Sequence, residues 1–397
     1  MEKSLPLSAK TRAIMLLCGH FGPKRGGAKP LTPAEYHRLI HWLEAKHLSL
    51  SDLLDAAPLE VVAAYKDKDV SPDRLRHLLG RSTWLAQAVD RWAAAGIWVM
   101  GEQDLDYPVR LRQRLKAGGS PLLFGAGARQ LLNQGGICIV GSRDSTEAGL
   151  NFAHQLGSRC GQDRKTVISS DMRGVDREAT TAALAAGGNV VSVVSDSLEK
   201  AVAARRNRDA LAAGTLVLVT PFAPDTRFSV SNAMRVNKYQ YTLADVAVIV
   251  ETRRHGGVWS GADENRNEQW VPAFVRVGEQ MSPGNTALLH LGLLPITEKD
   301  VRTCKSLNKF LASGGSGSAS VMASATAIAS ATGDLYAVFL TALLTLVAVE
   351  PRTETEIMEH FSIERAQARK WLARAARESR IIKAGKPVRY RTAGGQL

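Results

Sequence analysis

Cysteine is scarce in this chain. The four present, Cys18, Cys138, Cys160 and Cys304, lie far apart in 397 residues, and no two form a C-x-x-C pair. That excludes a zinc ribbon and a disulfide scaffold and fits a reduced cytoplasm. Long apolar runs are also missing. The strongest, Leu335–Val349, has 15 residues, short of the roughly 20 that a bilayer requires, and reads as a buried helix. Met1 to Ala13 lacks the apolar core of an export signal. The chain is therefore expected to be cytoplasmic, with no membrane contact. Neither a Walker lysine loop nor a metal-ligand spacing occurs. His37 and His41 stand one helical turn apart without a third ligand nearby, and read as a solvated helix face. No metal and no cofactor is expected.

Apolar residues make up 45% and charged residues 22%, which is ordinary globular composition and excludes wholesale disorder. The length suits two or three domains. Lysine and arginine number 51 against 38 aspartates and glutamates, a net +13. That excess favours a polyanionic partner.

Residues 1–100 read as an N-terminal helical domain. Thr32-Pro33-Ala34-Glu35 supplies an N-cap, a proline at N1 and a capping-box glutamate, and Tyr36, Leu39, Ile40 and Leu43 follow at helical spacing. From 101 to 310 the pattern alternates. Apolar, β-branched runs at Ile137–Val140, Thr166–Ile168, Val190–Val194, Leu216–Val219, Val246–Val250 and Val271–Val277 are separated mostly by helical stretches. Strands apolar on both faces and spaced by helices indicate a doubly wound, mostly parallel α/β sheet, which binds ligands at its carboxyl edge. Residues 311–333, small and uncharged, read as a flexible linker. Residues 334–397 give three helices and a hairpin, the order of a winged helix. The segment from Ile363 to Leu397 holds ten lysines and arginines against two glutamates.

Several short motifs carry a resemblance. Asp104-Leu105-Asp106-Tyr107-Pro108, Ser120-Pro121-Leu122-Leu123-Phe124-Gly125, Val140-Gly141-Ser142-Arg143, Arg173-Gly174-Val175-Asp176, Asp245 to Glu251 and Gly284-Asn285 occur in the order seen in the DprA/Smf family of DNA-processing proteins. The chain resembles a divergent member of that family from about 95 to 295. The resemblance implies a Rossmann-like domain that binds single-stranded DNA without catalysis, a C-terminal winged helix, and a homodimer. Family motifs are rewritten at Ser169–Met172, at Arg235-Val236-Asn237-Lys238 and at Gly256–Ala262. A specialised relative is expected, with a recombinase or a cognate toxin as partner and an antitoxin or regulatory role in phage defence as one setting.

The residues themselves suggest where DNA would lie. Gly141, Ser142 and Arg143 follow a strand and precede a helix, so backbone amides, the helix N-terminus and a guanidinium converge on an anion. Arg173 offers a second phosphate contact, Gly174 permits the turn, and Asp176 reads as a helix cap. Arg235, Asn237 and Lys238 add charge and an amide; Tyr239 and Tyr241, two apart, cannot share one helical face, so at most one reaches the groove. In the C-terminal module Arg365, Arg369 and Lys370 on one helix, with Lys383, Lys386, Arg389 and Arg391 on the hairpin, would contact duplex or a protein partner. The competing class is a nucleotide-binding sensor or N-glycosidic nucleotide hydrolase using the same strand ends. Its glutamate would be Glu264, which falls one position late in the loop His255–Glu264 and is read as non-catalytic. Ser145, His154 and Asp176 are not placed together by anything in the sequence, so no catalytic residue is assigned.

Overall fold

The computed structural model describes residues 7–22, 27–54, 58–170, 172–314, 335–361, 365–378, 380–385 and 388–392. The chain divides into two compact units, Met1–Gly317 and Ser318–Leu397. None of its described helices is long and apolar enough to cross a membrane.

The first unit is built on nine strands: β1 (Trp98–Gly101), β2 (Leu122–Gly127), β3 (Ile137–Val140), β4 (Val167–Ser169), β5 (Val190–Val193), β6 (Leu216–Thr220), β7 (Val246–Ile249), β8 (Ala273–Arg276) and β9 (Leu294–Ile296). Their order in space is β1-β2-β6-β5-β4-β3-β7-β8-β9. From β6 to β9 every pairing is parallel, while β1 and β2 attach antiparallel at one edge. The sheet is therefore doubly wound, and its direction of growth reverses between β3 and β7.

The continuous apolar strands follow from burial on both faces. Ile137 and Ile139 point into one core and Cys138 and Val140 into the other; Val246 and Val248 divide from Ala247 and Ile249 in the same way. The first core takes in the helices Glu147–Gln162 and Val175–Ala185, and the second takes in Val230–Leu243 and Gly257–Glu268.

The N-terminal helices join the first core. Ile14, Tyr36, Leu39, Leu75 and Trp92 share it with Val99, Leu122 and Phe124 of the sheet, and the Trp92 and Phe124 rings meet edge-on at 5.2 Å. The boundary expected at residue 100 thus falls inside β1. Thr32 and Glu35 form the capping box their spacing implies, at 2.7 and 3.3 Å. His37 differs from the solvated reading: Glu102, at the end of β1, lies 3.3 Å from its Nε2 and raises its pKa.

β1 and β2 escape a pattern search because they are short and glycine-bearing. Trp98 pairs across the strands with Gly125, and a Cβ at Gly125 would collide with the indole. The helix Leu307–Ala312 reaches into the segment read as a linker; residues 315–334 lie outside the described residues.

The second unit has the helix Leu335–Val349, a strand Arg352–Thr353 (β10), the helices Glu354–Phe361 and Arg365–Arg377, and strands Ile381–Ala384 (β11) and Arg389–Thr392 (β12), paired antiparallel in the order β10-β12-β11. Tyr336, Phe339, Leu343 and Val347 form one stripe of the apolar helix and bury against Ile357, Leu372 and Tyr390.

Asn285 secures the carboxyl edge. Its Oδ1 accepts from Thr252 N at 3.0 Å and Ser282 Oγ at 2.9 Å, and its Nδ2 donates to Val250 O and Arg276 O, both at 2.9 Å. An Asn285→Ala variant leaves these buried groups unpaired and is expected to lose about 2–4 kcal/mol of stability. Urea titration of the first unit's transition checks this, and an unchanged midpoint contradicts it.

Candidate nucleic-acid interface

Loops leaving five parallel strands, β3 to β7, line a groove at the carboxyl edge of the sheet. Two adjoining hollows make it up. The first, about 380 Å³, lies at the switch between β3 and β7. Its walls are Gly141–Asp144, Asp176, one face of the helix Val230–Leu243, Thr252, Arg253 and the stretch from His255 to Val258. The second, about 450 Å³, lies over the ends of β4 and β5 and is lined by Arg143, Arg173, Arg177, Lys200 and Arg206, with Phe228 on its rim. Arg143, Met172 and Ser195 border both.

The loop after β3 differs from its expected role. Gly141 N–H donates to Asp176 Oδ1 at 3.1 Å, and Ser142 N–H donates to Glu251 O at 2.8 Å. Glu251 Oε2 accepts from Ser145 Oγ at 2.6 Å, Thr146 N at 3.0 Å and Thr146 Oγ1 at 2.8 Å. Thr146 Oγ1 in turn caps Gly149 N at 3.2 Å. The N-terminus of the helix Glu147–Gln162 therefore already holds a carboxylate of the protein. The anion site expected there is occupied internally, and what the loop presents outward is the Arg143 guanidinium. Arg143 is exposed, has no ion-pair partner among the described residues, and sits 5.3 Å from the centroid of the Phe228 ring.

Gly174 stands at φ 91°. A Cβ there would lie 2.7 Å from Arg143 Cα, so the turn and the close approach of the two loops both require glycine. Arg173 is exposed and pairs with Asp144 across that approach. Asp176 does not act as the expected cap. Gly174 holds the N-cap position, and the buried Asp176 carboxyl bridges Gly141 N–H and the Ser170 hydroxyl. Burial raises its pKa to about 6, against the lowering by those hydrogen bonds.

The residues of the helix Val230–Leu243 do not converge. Asn237 lines the first hollow, its Nδ2 donating to Gly257 O at 2.7 Å. Arg235 turns to the Phe222 ring, 4.9 Å from its centroid. Lys238 gives its ammonium to Gly118 O and lines neither hollow; burial lowers its pKa. Both tyrosines are core residues. Tyr239 takes Ser120 N–H on its hydroxyl at 2.9 Å, and Tyr241, 1% exposed, borders the floor of the first hollow.

In the second unit several cations have internal partners. Arg369 Nε donates to Glu354 Oε1 at 3.0 Å, with Arg365 at 3.8 Å from the same oxygen. Arg389 donates to Pro351 O at 2.9 Å and lies 3.7 Å from Glu356. Lys383 sits 5.8 Å from the Tyr390 ring centroid. Lys370 and Arg391 are exposed; Lys386 lies outside the described residues.

No catalytic arrangement forms among the residues considered for one. Ser145 bonds to Glu251, His154 Nδ1 lies 2.8 Å from Glu178, and Asp176 bonds to Ser170. Glu264 is exposed and borders neither hollow. Among the described residues no group of three or more histidine, cysteine, aspartate or glutamate side chains could hold a metal ion. Arg177, Lys200, Arg206 and Phe228 join the site from outside the residues that the sequence singles out. Arg177 stands one turn beyond Arg173, and Arg205-Arg206-Asn207-Arg208 is a visible basic cluster just past β5, so a signal existed.

A doubly wound, mostly parallel sheet with a crevice at its carboxyl edge defines a Rossmann-like class of protein. Residues 98–302, half of the chain, match the model of the DNA recombination-mediator protein A family, and the chain belongs to that family. DNA processing protein A from Streptococcus pneumoniae has a similar fold, with 16% identity, a TM-score of 0.57, and coverage of 78% of this chain and 98% of that one. DNA processing protein A from Helicobacter pylori, described for its single-stranded DNA binding mode, aligns at 19% identity with a TM-score of 0.46 over 55% of this chain and 98% of that one. No curated protein matches the chain.

The raised pKa of Asp176 makes stability depend on pH. The folded state holds this proton more tightly than the unfolded chain does. Stability is therefore lost as pH rises from the ordinary carboxyl range through about 6, and the penalty is complete above it. An Asp176→Asn variant keeps an acceptor for Gly141 and a donor for Ser170 without the charge. It is expected to be more stable than the parent at pH 8, on the order of 2–3 kcal/mol, and equal to it near pH 3, below the carboxyl's unfolded pKa. Thermal melts at the two pH values check this; a variant less stable at pH 8 contradicts it.

Proposed function

We propose that this protein binds single-stranded DNA along the carboxyl edge of its central sheet, without catalysing a reaction on it. The observation that carries the reading is the second hollow, where five cationic side chains from three different strand ends, against the single carboxylate of Asp196, line one cavity. Several cations around one cavity suit a chain of phosphodiesters, and guanidinium groups hold phosphate oxygens in pairs. Arg143 is central because it borders both hollows and has no carboxylate of its own among the described residues. Arg173 reaches a phosphate by exchanging Asp144 for it, an exposed pair that costs little to break.

The C-terminal unit enters this proposal as a winged helix that adds duplex or partner contact through Lys370, Lys383 and Arg391. Arg365, Arg369 and Arg389 contribute less to that contact, since Glu354 and Glu356 already face them. A homodimer, and a recombinase or toxin as partner, belong to the same proposal; the rewritten segments at Ser169–Met172 and Gly256–Ala262 support a defence setting over transformation. A nucleotide hydrolase is disfavoured because Glu264 lies outside both hollows.

Fluorescence anisotropy with a labelled oligonucleotide at several salt concentrations tests the reading. Each of Arg143→Ala and Lys200→Ala is expected to weaken binding several-fold at low salt and to reduce the slope of log K against log salt by about 0.7. Lys238→Ala is expected to leave that slope unchanged, because its ammonium is held by Gly118 O. Binding by the parent that is independent of salt, or tight binding of mononucleotides with none of DNA, overturns the proposal.

A further inference from the structure

Between the two hollows runs a lip of exposed apolar side chains: Phe228 is 46% exposed, Val230 69% and Met234 44%. Phe228 borders the second hollow, while Val230 and Met234 border the first. Val230 and Met234 stand at i and i+4 and so share one helical face. Ser229 fixes the geometry, its side chain accepting from Asn232 N at 3.0 Å as the N-cap. In that frame Phe228 occupies the position that ordinarily packs on the fourth helical residue as a hydrophobic staple. Here the fourth residue is Ala233, too small to cover a phenyl ring, and Phe228 remains open with the Arg143 guanidinium beside its face. Folding alone gives no reason for three large apolar side chains in a row here.

We infer that this lip is a base-stacking platform that makes the groove selective for single strands. The inference rests on the DNA-binding reading above and assigns it a specificity determinant. With the phosphates held by Arg173, Lys200 and their neighbours, bases of the same strand lie towards Phe228, Val230 and Met234. The continuity of the lip with the cationic hollow identifies the occupant as a base rather than an apolar peptide. A duplex keeps its base faces stacked and paired and offers none to the lip, whereas an unpaired strand does. Arg143 serves both halves, as a phosphate donor and as the cation over the ring.

The test uses the full chain with an oligonucleotide and with the same oligonucleotide carrying abasic sites. Phe228→Ala is expected to bind the base-bearing strand about tenfold more weakly, with the salt slope unchanged. The parent is expected to lose a similar factor on the abasic strand, and Phe228→Ala to bind both strands alike. Phe228→Trp restores the parent's affinity, and its indole emission is quenched on binding. Because Phe228 is half-exposed, thermal melts of the variants should match the parent's. Phe228→Ala binding like the parent, or losing the same factor on the abasic strand as the parent does, overturns the platform while leaving DNA binding intact. No salt-dependent binding of the parent to either strand overturns both readings.

Discussion

At the carboxyl ends of β3 and β7, the loop Gly141–Thr146 is clasped from two sides by carboxylates of the protein. Asp176 takes the first amide of the loop, and Glu251 takes the last together with two hydroxyls. These bonds fix where β3 stops, where the next helix starts and which way Arg143 leaves the backbone. They also fill the electropositive helix end that such a turn would otherwise offer to an anion. In the proposed mode of binding, recognition is thereby left to side chains rather than to the backbone. The cations that line the second hollow come from neighbouring strand ends and meet over β4 and β5.

That arrangement has chemical consequences. A backbone nest at a helix end suits one compact phosphate and fixes it closely. A row of guanidinium and ammonium groups suits a chain of phosphates, tolerates sequence and leaves the bases free to find other surfaces. Asp176, whose pKa burial raises to about 6, still carries its charge above that pH, so the first hollow holds a carboxylate where the second is lined mostly by cations. In the second unit Arg365 and Arg369 face Glu354, and Arg389 faces Glu356, so the protein's own carboxylates already neighbour these cations.

Much of the fold is legible in the sequence because its central strands are buried on both faces. Runs such as Ile137–Val140 and Val246–Val250 fit little besides a strand covered on both sides, and the short motifs between them come in a fixed order. β1 and β2 are not legible, since four to six residues containing glycine carry little periodicity and Trp98 opposite Gly125 is a packing fact. Within the site, Arg143, Arg173 and Gly174 are marked by their place at strand ends. Lys238 is not, because sequence gives the residues of a helix but not which neighbour will claim a long side chain. Glu251 is hidden for a related reason: its partners Ser145 and Thr146 are more than a hundred residues away. Phe228 stands outside any helix pattern, and its exposure is a property of the folded surface alone.

The central claim concerns where a nucleic acid touches this protein, and contact can be mapped directly. Ultraviolet crosslinking of the full chain to an oligo-deoxythymidine strand, followed by mass spectrometry of the linked peptides, reads it without any substitution. Crosslinks are expected on the segments around Arg143, Met172 to Arg177, Ser195 to Arg206 and Phe228 to Met234. Crosslinks confined to residues beyond Ser318, or to the face that carries Gly118 and Lys238, would contradict the account.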